Sequence, residues 1–380
     1  MIRVSQEQAN QERPFWAAFS YLANVGPSRF KEIVNNFGSA QKAWQAEKKD
    51  WQKLGLSKKI IDRFFILRKK IKPEKLLESL INSYQPLIWP IIKIDSYYPK
   101  NLLNIDDAPP VLYARGKIAQ ELSQEKLGSW QSFWSSAVLA LVGTRKPSAY
   151  GRQIASRLGE ELARSGLIIV SGLAYGIDTL AHRSALEAGG KTVAVLGSGV
   201  DVVYPSSNRL LYQKILESGL VFSELPPGTK PLAGHFPARN RIISGLASAV
   251  LVIEGGLRSG SLITASLAAN QGRDVLAVPG SITSQLSSGT NYLIRNGAKL
   301  VTEANDVLEE FDLTVQTDKH QSGLAEDERL VIDLLSNQSL TADQIGLRLK
   351  FEASRVGVIL TKLEIKGLAV NLGLGKWGRR

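Results

Sequence analysis

The stretch AVLALVGTRKPSAYGRQIASRLGEELARSGLIIVSG, residues 137–172, decides how this chain folds. An apolar run leads through a small polar loop into a segment with helical spacing, and a second apolar run follows. Short Val/Ile/Leu runs separated by helical segments read as buried parallel strands in βαβ units. The pattern then repeats. TVAVLGSG (192–199) is followed by NRLLYQKILESG (208–219), LVFSE (220–224) comes next, and AVLVIEGG (249–256) precedes SLITASLAANQG (261–272). DVLAVPG (274–280), NYLIRNG (291–297) and KLVT (299–302) close the series. The expected fold class is α/β, a doubly wound Rossmann-like domain over residues 83–315 with its core from about 137.

Two smaller modules flank it. Residues 14–82 read as short amphipathic helices (PFWAAFSYLANV, RFKEIVNNFG, AQKAWQ, KKIIDRFFILRKKI and PEKLLESLI), giving an N-terminal helical module over residues 1–82. Within it VGPSRF (25–30) and LGLSKK (54–59) repeat a pattern similar to two degenerate helix-hairpin-helix units. Asn24 stands where that motif has a glycine, which favours a structural module over a phosphate site. Residues 83–116 read as a connecting lobe with strands, and KIAQELSQEKLGSWQSFWSS (117–136) as a surface loop with Trp130 and Trp134 tucked inward. A polar linker, QTDKHQSG (316–323), leads to residues 324–380. There three helical segments, one opened by a Thr341/Gln344 capping box, precede a glycine-tipped ribbon, the winged-helix pattern.

Composition narrows the function. The chain has no cysteine, which excludes disulfides and thiolate chemistry. Its three histidines, His182, His235 and His320, lie far apart, so no metal site is expected. No apolar run suits a membrane helix and the N-terminus lacks a secretory pattern, so the expected location is cytoplasmic. The formal net charge is +12, and residues 1–90 hold 16 Lys/Arg against 8 Asp/Glu. A basic excess attracts polyanions, nucleic acid being the commonest.

In a doubly wound sheet, ligands bind outside the carboxyl ends of the strands. The loops expected there are GTRKPSAYG (143–151), SGLAYGID (171–178), GSGVDVVYP (197–205), EGGLRSGSLIT (254–264) and PGSITSQLSSGT (279–290). All five are small, polar and glycine-rich, as an anionic ligand approaching backbone amides requires. The standard nucleotide fingerprints fail. GSGVDV has Val202 at the third glycine place, and GGKT (189–192) precedes a strand instead of following one. Glu254 reads either as a general acid or base or as a cap for neighbouring amides, and no catalytic constellation stands out. Binding groups remain: Arg145, Lys146, Ser171, Gly172, Arg239, Arg241, Arg258, Ser259, Ser261 and Thr264, with Phe236 as an aromatic suited to stacking on a base. Phosphate grip plus stacking is how single strands are bound without sequence readout. Arg239 and Arg241 stand two positions apart on one helix, so an ion pair is the competing reading for one of them.

LVGTRKPSAYG, IVSGLAYGIDTLAH, AVLGSGVDVVYPSSN, HFPARNRIISGL, VIEGGLRSGSLITA and VPGSITSQLSSGTN occur in the order and spacing of the DNA-processing protein A family, DprA or Smf, which this chain resembles over residues 14–377. The resemblance implies a sterile-alpha-motif-like N-terminal module and a homodimer formed through the Rossmann domain. It also implies a non-enzymatic protein without cofactors that binds incoming single-stranded DNA, protects it and loads RecA recombinase in natural transformation or recombination. Carried onto this chain, the strand-binding residues are Arg145, Arg239, Arg241, Ser259 and Ser261, with Gly143, Ser171, Gly172 and Thr264 in the same pocket. Tyr175 stands where the family often has arginine, and His235 where asparagine is frequent.

Two rivals stand beside this reading. One is a nucleotide-hydrolysing Rossmann enzyme related to the lysine-decarboxylase-like phosphoribohydrolases, whose PGGxGTxxE stretch supplies a glutamate after its glycines. EGGLRSGSLITASL has no acidic residue there. The other is a regulator reading duplex DNA through the winged helix.

Overall fold

The computed structural model describes residues 5–124, 126–314, 325–373 and 375–379. They fall into two compact units, Met1–Val315 and Gln316–Arg380. The linker expected at 316–323 lies outside the described residues.

The first unit is organised by a nine-stranded sheet. Its strands are β1 (Ile88–Ile92), β2 (Val111–Arg115), β3 (Val138–Val142), β4 (Ile168–Ser171), β5 (Thr192–Val195), β6 (Leu220–Ser223), β7 (Ala249–Val252), β8 (Asp274–Ala277) and β9 (Lys299–Leu300). Their order is β1-β2-β6-β5-β4-β3-β7-β8-β9. Every pairing from β6 to β9 along this order is parallel, and β2 joins β6 antiparallel. β3, β4, β6 and β7 are buried at every residue, as their continuous apolar runs require. From β3 the chain winds outward to β6, then returns to place β7 on the other side of β3. This reversal opens a crevice beyond the carboxyl ends of β3 and β7.

The sequence expectations need three adjustments. The lobe at 83–116 joins the sheet itself: β1 and β2 extend it, and Pro90 is accommodated because β1 is an edge strand. The stretch 117–136 is not a loop but two short helices, Lys117–Leu122 and Leu127–Phe133. Trp130 there is buried and donates from its indole to the carbonyl of Tyr97 at 3.0 Å, while Trp134 stacks on Phe222. The first helix spans Gln6–Ser20, so Pro14 is internal instead of opening it; a capping box of Ser5 and Gln8 makes the true start.

The N-terminal helices pack on one face of the sheet. Trp51 and Phe64 stack at 3.9 Å, Phe19 stacks on Phe64, and this aromatic core runs on into Ile88, Val111, Tyr113 and Val221. The seam is pinned by Arg13. Its guanidinium, 1% exposed, donates to both carboxylate oxygens of Asp95 at 2.6 and 2.8 Å and to the carbonyl of Pro90 at 2.9 Å. Asn24 and Gly55 both take φ +68, each two residues before the N-cap of the following helix, Gly26 and Ser57, so the left-handed residue falls two places earlier in the first motif than in the second; asparagine tolerates that conformation better than most.

The second unit holds helices Glu326–Asn337, Ala342–Leu349 and Ala353–Ile365 and a three-stranded sheet of β10 (Leu340–Thr341), β11 (Ala369–Gly373) and β12 (Lys376–Arg379). It is a winged helix. The Thr341/Gln344 capping box is formed, with Thr341 Oγ1 accepting from the Gln344 amide and Gln344 Oε1 accepting from the Thr341 amide. No helix among the described residues is long and apolar enough to cross a membrane.

Candidate nucleic-acid interface

The crevice is a cavity of about 850 Å³. Its walls are the loop after β3, the loops after β4 and β5, the start of helix Gly260–Asn270, and the first turns of helix His235–Leu246. Gly143, Arg145, Lys146, Phe236, Arg239, Ser259, Ser261 and Thr264 all line it, so most of the residues picked from sequence converge. Asp178, Tyr204 and Asn240 line it as well.

Glycine at 143 is demanded by contact. A Cβ there would lie 2.5 Å from Ile177 Cγ1 and 2.9 Å from the carbonyl oxygen of Glu254. The chain beyond it is held down by the amide of Thr144, which donates to that same carbonyl at 2.7 Å. Arg145 and Lys146 follow immediately and are exposed. Among the described residues neither is in an ion pair. The Arg145 guanidinium lies 5.4 Å from the centre of the Phe236 ring, within cation–π range.

Opposite, Ser259 caps helix Gly260–Asn270, and its hydroxyl lies 2.8 Å from that of Ser261. This places hydroxyls and first-turn amides at a positive dipole end facing the two cations.

Arg239 behaves differently from Arg145. It is 4% exposed and donates to the carbonyls of Gly172, at 2.6 Å, and Val195, at the ends of β4 and β5. The buried Asp178 lies within its electrostatic reach and accepts from the amides of Gly172 and Ala174. Burial pushes the Asp178 carboxyl up while Arg239 pulls it down, and burial lowers Arg239 to about 10, so the guanidinium stays charged at neutral pH. Arg239 and Asp178 both line the cavity but are almost fully buried. The positive charge that reaches the opening comes from Arg145 and Lys146.

Four expected residues do not line the cavity. Arg241 points from the far side of its helix to Glu224, with a second contact to Asp107 at 3.2 Å, and does not line the cavity. The ion-pair reading is the one its geometry matches, because a step of two residues turns about 200° around a helix. Arg258 is exposed and outside the lining. Ser171 is fully buried, its hydroxyl donating to the carbonyl of Leu141 at 2.7 Å. Gly172 lines a smaller adjoining recess with Tyr175, Ser198 and Tyr204. Tyr204 was missed in the sequence; its signal is an aromatic within a strand-end loop that also carries GSG.

Glu254 is committed to a cap. Its carboxylate accepts from the Ser148 amide at 2.8 Å and hydroxyl at 2.6 Å, at the start of helix Ala149–Arg164. His182 is buried against Thr192 at 2.7 Å, and burial lowers its pKa to about 3, so it is neutral. Lys191 of the GGKT stretch donates to the carbonyl of Ser132, away from the strand-end loops. Among the described residues no three His, Cys, Asp or Glu side chains form a metal cluster.

A family model described as DNA recombination-mediator protein A matches residues 89–312, and one described as the DprA winged helix domain matches residues 316–373. The chain is 38% identical over 301 residues to protein Smf of Synechocystis sp., covering 79% of this chain and 73% of that one. It is 47% identical over 219 residues to DNA processing protein DprA of Streptococcus pneumoniae, covering 58% and 73%. Among solved structures, DNA processing protein A from Streptococcus pneumoniae aligns with a TM-score of 0.64 at 35% identity, over 83% of this chain and all of that one. DNA processing protein A from Helicobacter pylori, solved for its single-stranded DNA binding mode, aligns with a TM-score of 0.51 at 29% identity, over 60% and 97%.

Proposed function

The chain belongs to the DNA recombination-mediator protein A family, and from that premise we propose that it binds single-stranded DNA across the cavity at the ends of β3 and β7. One observation carries the reading. The cavity's uncompensated charge is the pair Arg145 and Lys146, standing beside the aromatic rings of Phe236 and Tyr204. Cations take phosphates and rings take unpaired bases, a combination that tolerates any sequence but discriminates against duplex, whose bases are already stacked. The relative from Helicobacter pylori, with its single-stranded DNA binding mode, supports the same ligand.

The role is binding, not catalysis. Glu254 is held as a cap and the buried Asp178 is occupied by two backbone amides, so both carboxylates are engaged in structure. This weighs against the nucleotide-hydrolase reading. Family membership supports the finer role: a homodimer in the cytoplasm that protects incoming strands and loads RecA recombinase onto them during transformation or recombination.

The test is fluorescence anisotropy of a labelled oligothymidine at several salt concentrations with a duplex competitor. Preference for the single strand is expected, with a log–log salt slope of about −0.7 per phosphate neutralised. Removing residues 324–380 should leave most of this binding intact. Loss of binding on that deletion would move the site to the winged helix, and release of a free base from nucleoside monophosphates would revive the hydrolase.

A further inference from the structure

Sequence reading assigns base stacking to Phe236, yet its ring is the least accessible of three aromatics at the cavity. It is half-buried against the backbone at Gly197, where an added Cβ would fall 2.9 Å from the ring. The Arg145 guanidinium sits over it. Two tyrosines stand further out. Tyr204 lies 5.5 Å from Phe236, tilted by 38°, and is 43% exposed; Tyr175 is 50% exposed. Both line the small recess that opens beside the main cavity, together with Arg145 and Phe236.

The loops hold these rings close to the cation. Gly176 takes φ +77, and a Cβ there would strike the backbone of Thr144 and Arg145. The turn carrying Tyr175 is therefore pressed onto the turn carrying Arg145. Tyr204 is backed by the Phe236 ring, so its outward face is the one left open. Two half-exposed rings on one recess, within reach of one unpaired arginine, give a phosphate contact flanked by flat apolar surfaces.

We infer that Tyr175 and Tyr204 form a nucleobase subsite, with Phe236 as the support beneath Tyr204 and Arg145 holding the adjoining phosphate. The inference rests on reading the cavity as a single-strand site and adds which rings meet the bases. Unpaired bases are the ligand class, and purines, having the larger stacking face, are bound more tightly than pyrimidines.

The experiment measures anisotropy with two labelled strands of equal length: oligodeoxyadenylate, and the same backbone carrying abasic tetrahydrofuran residues throughout. The full chain is compared with Tyr204→Ala, Tyr175→Ala, the double variant, Tyr204→Phe, Phe236→Ala and Arg145→Ala, each first checked by its thermal melt. The native chain is expected to prefer the base-bearing strand by about tenfold, and the double variant to lose that preference, as removal of base–aromatic stacks requires. Tyr204→Phe should keep the preference, and abasic binding should change less than about twofold in every tyrosine variant. Arg145→Ala should weaken both strands alike. The subsite is overturned if the tyrosine variants weaken both strands equally or leave base-bearing binding unchanged. It is overturned equally if Phe236→Ala alone erases the preference while the tyrosine variants retain it. A native chain that binds neither strand sinks the single-strand reading itself, an outcome separate from the others because Arg145→Ala would then have nothing to weaken.

Discussion

The cavity at the strand ends and the seam where the N-terminal helices meet the sheet both carry arginines, and their surroundings differ. At the seam, Arg13 is enclosed by Asp95 and a carbonyl, and behind the cavity Arg241 is likewise paired, with Glu224 and Asp107. At the cavity, Arg145 has an aromatic ring beneath it and open solvent beyond. Helix His235–Leu246 shows the contrast over three positions: Arg239 braces two carbonyls at the cavity, while Arg241 faces the carboxylates behind it. Charge count alone therefore says little about a polyanion site. What matters is whether the protein has already supplied the counterion.

Substitutions sharpen the contrast, and the largest effect is expected at the seam. Arg13→Ala leaves the Asp95 carboxylate buried without its partner, and denaturant titration should show a loss of about 3–5 kcal/mol. Binding per folded molecule should not change. Arg239→Ala removes the donor to two buried carbonyls and the charge opposite Asp178, costing about 3 kcal/mol by the same measurement. Arg241→Ala, at a partly accessible pair, should cost about 2 kcal/mol and leave strand affinity within about twofold.

Arg145→Ala reverses the pattern. Affinity for a single strand should fall about tenfold, equivalent to about 1.4 kcal/mol, with stability unchanged within about 0.5 kcal/mol. The smallest effect is a pH dependence. Burial pushes the Glu224 carboxyl above its ordinary 4.5, with Arg241 opposing. The folded state then holds that proton more readily than the unfolded chain, so stability falls as pH rises from 4.5 through the raised value. Glu224→Gln should flatten this part of the stability curve; a steeper slope in the variant would contradict the assignment.

Much of this was legible in the chain. β3 to β7 announce themselves because parallel strands buried on both faces are apolar at successive positions, and the loops after them carry residues that line the cavity. Strands were expected in the lobe at 83–116, but their joining the main sheet was hidden, since Pro90 is tolerable only at a sheet edge; Pro14 passed for a helix start although the capping box lies earlier. Helices Lys117–Leu122 and Leu127–Phe133 are too short to show a period. At the site, residue types were readable but partners were not. Glu224 and Asp107 lie far from Arg241 in sequence and meet it only once β6 and the segment ahead of β2 are in place. Exposure was equally hidden: nothing local distinguishes the braced Phe236 from the open Tyr175 and Tyr204.

The most direct measurement is salt-dependent anisotropy of a labelled oligothymidine with the native chain, Arg145→Ala and Arg241→Ala side by side. Arg145→Ala should bind more weakly, with a salt slope shallower by about 0.7, while Arg241→Ala follows the native curve. Equal losses at both arginines, or a loss at Arg241 alone, would contradict the claim that the unpaired cation at the cavity mouth is the one that holds the strand.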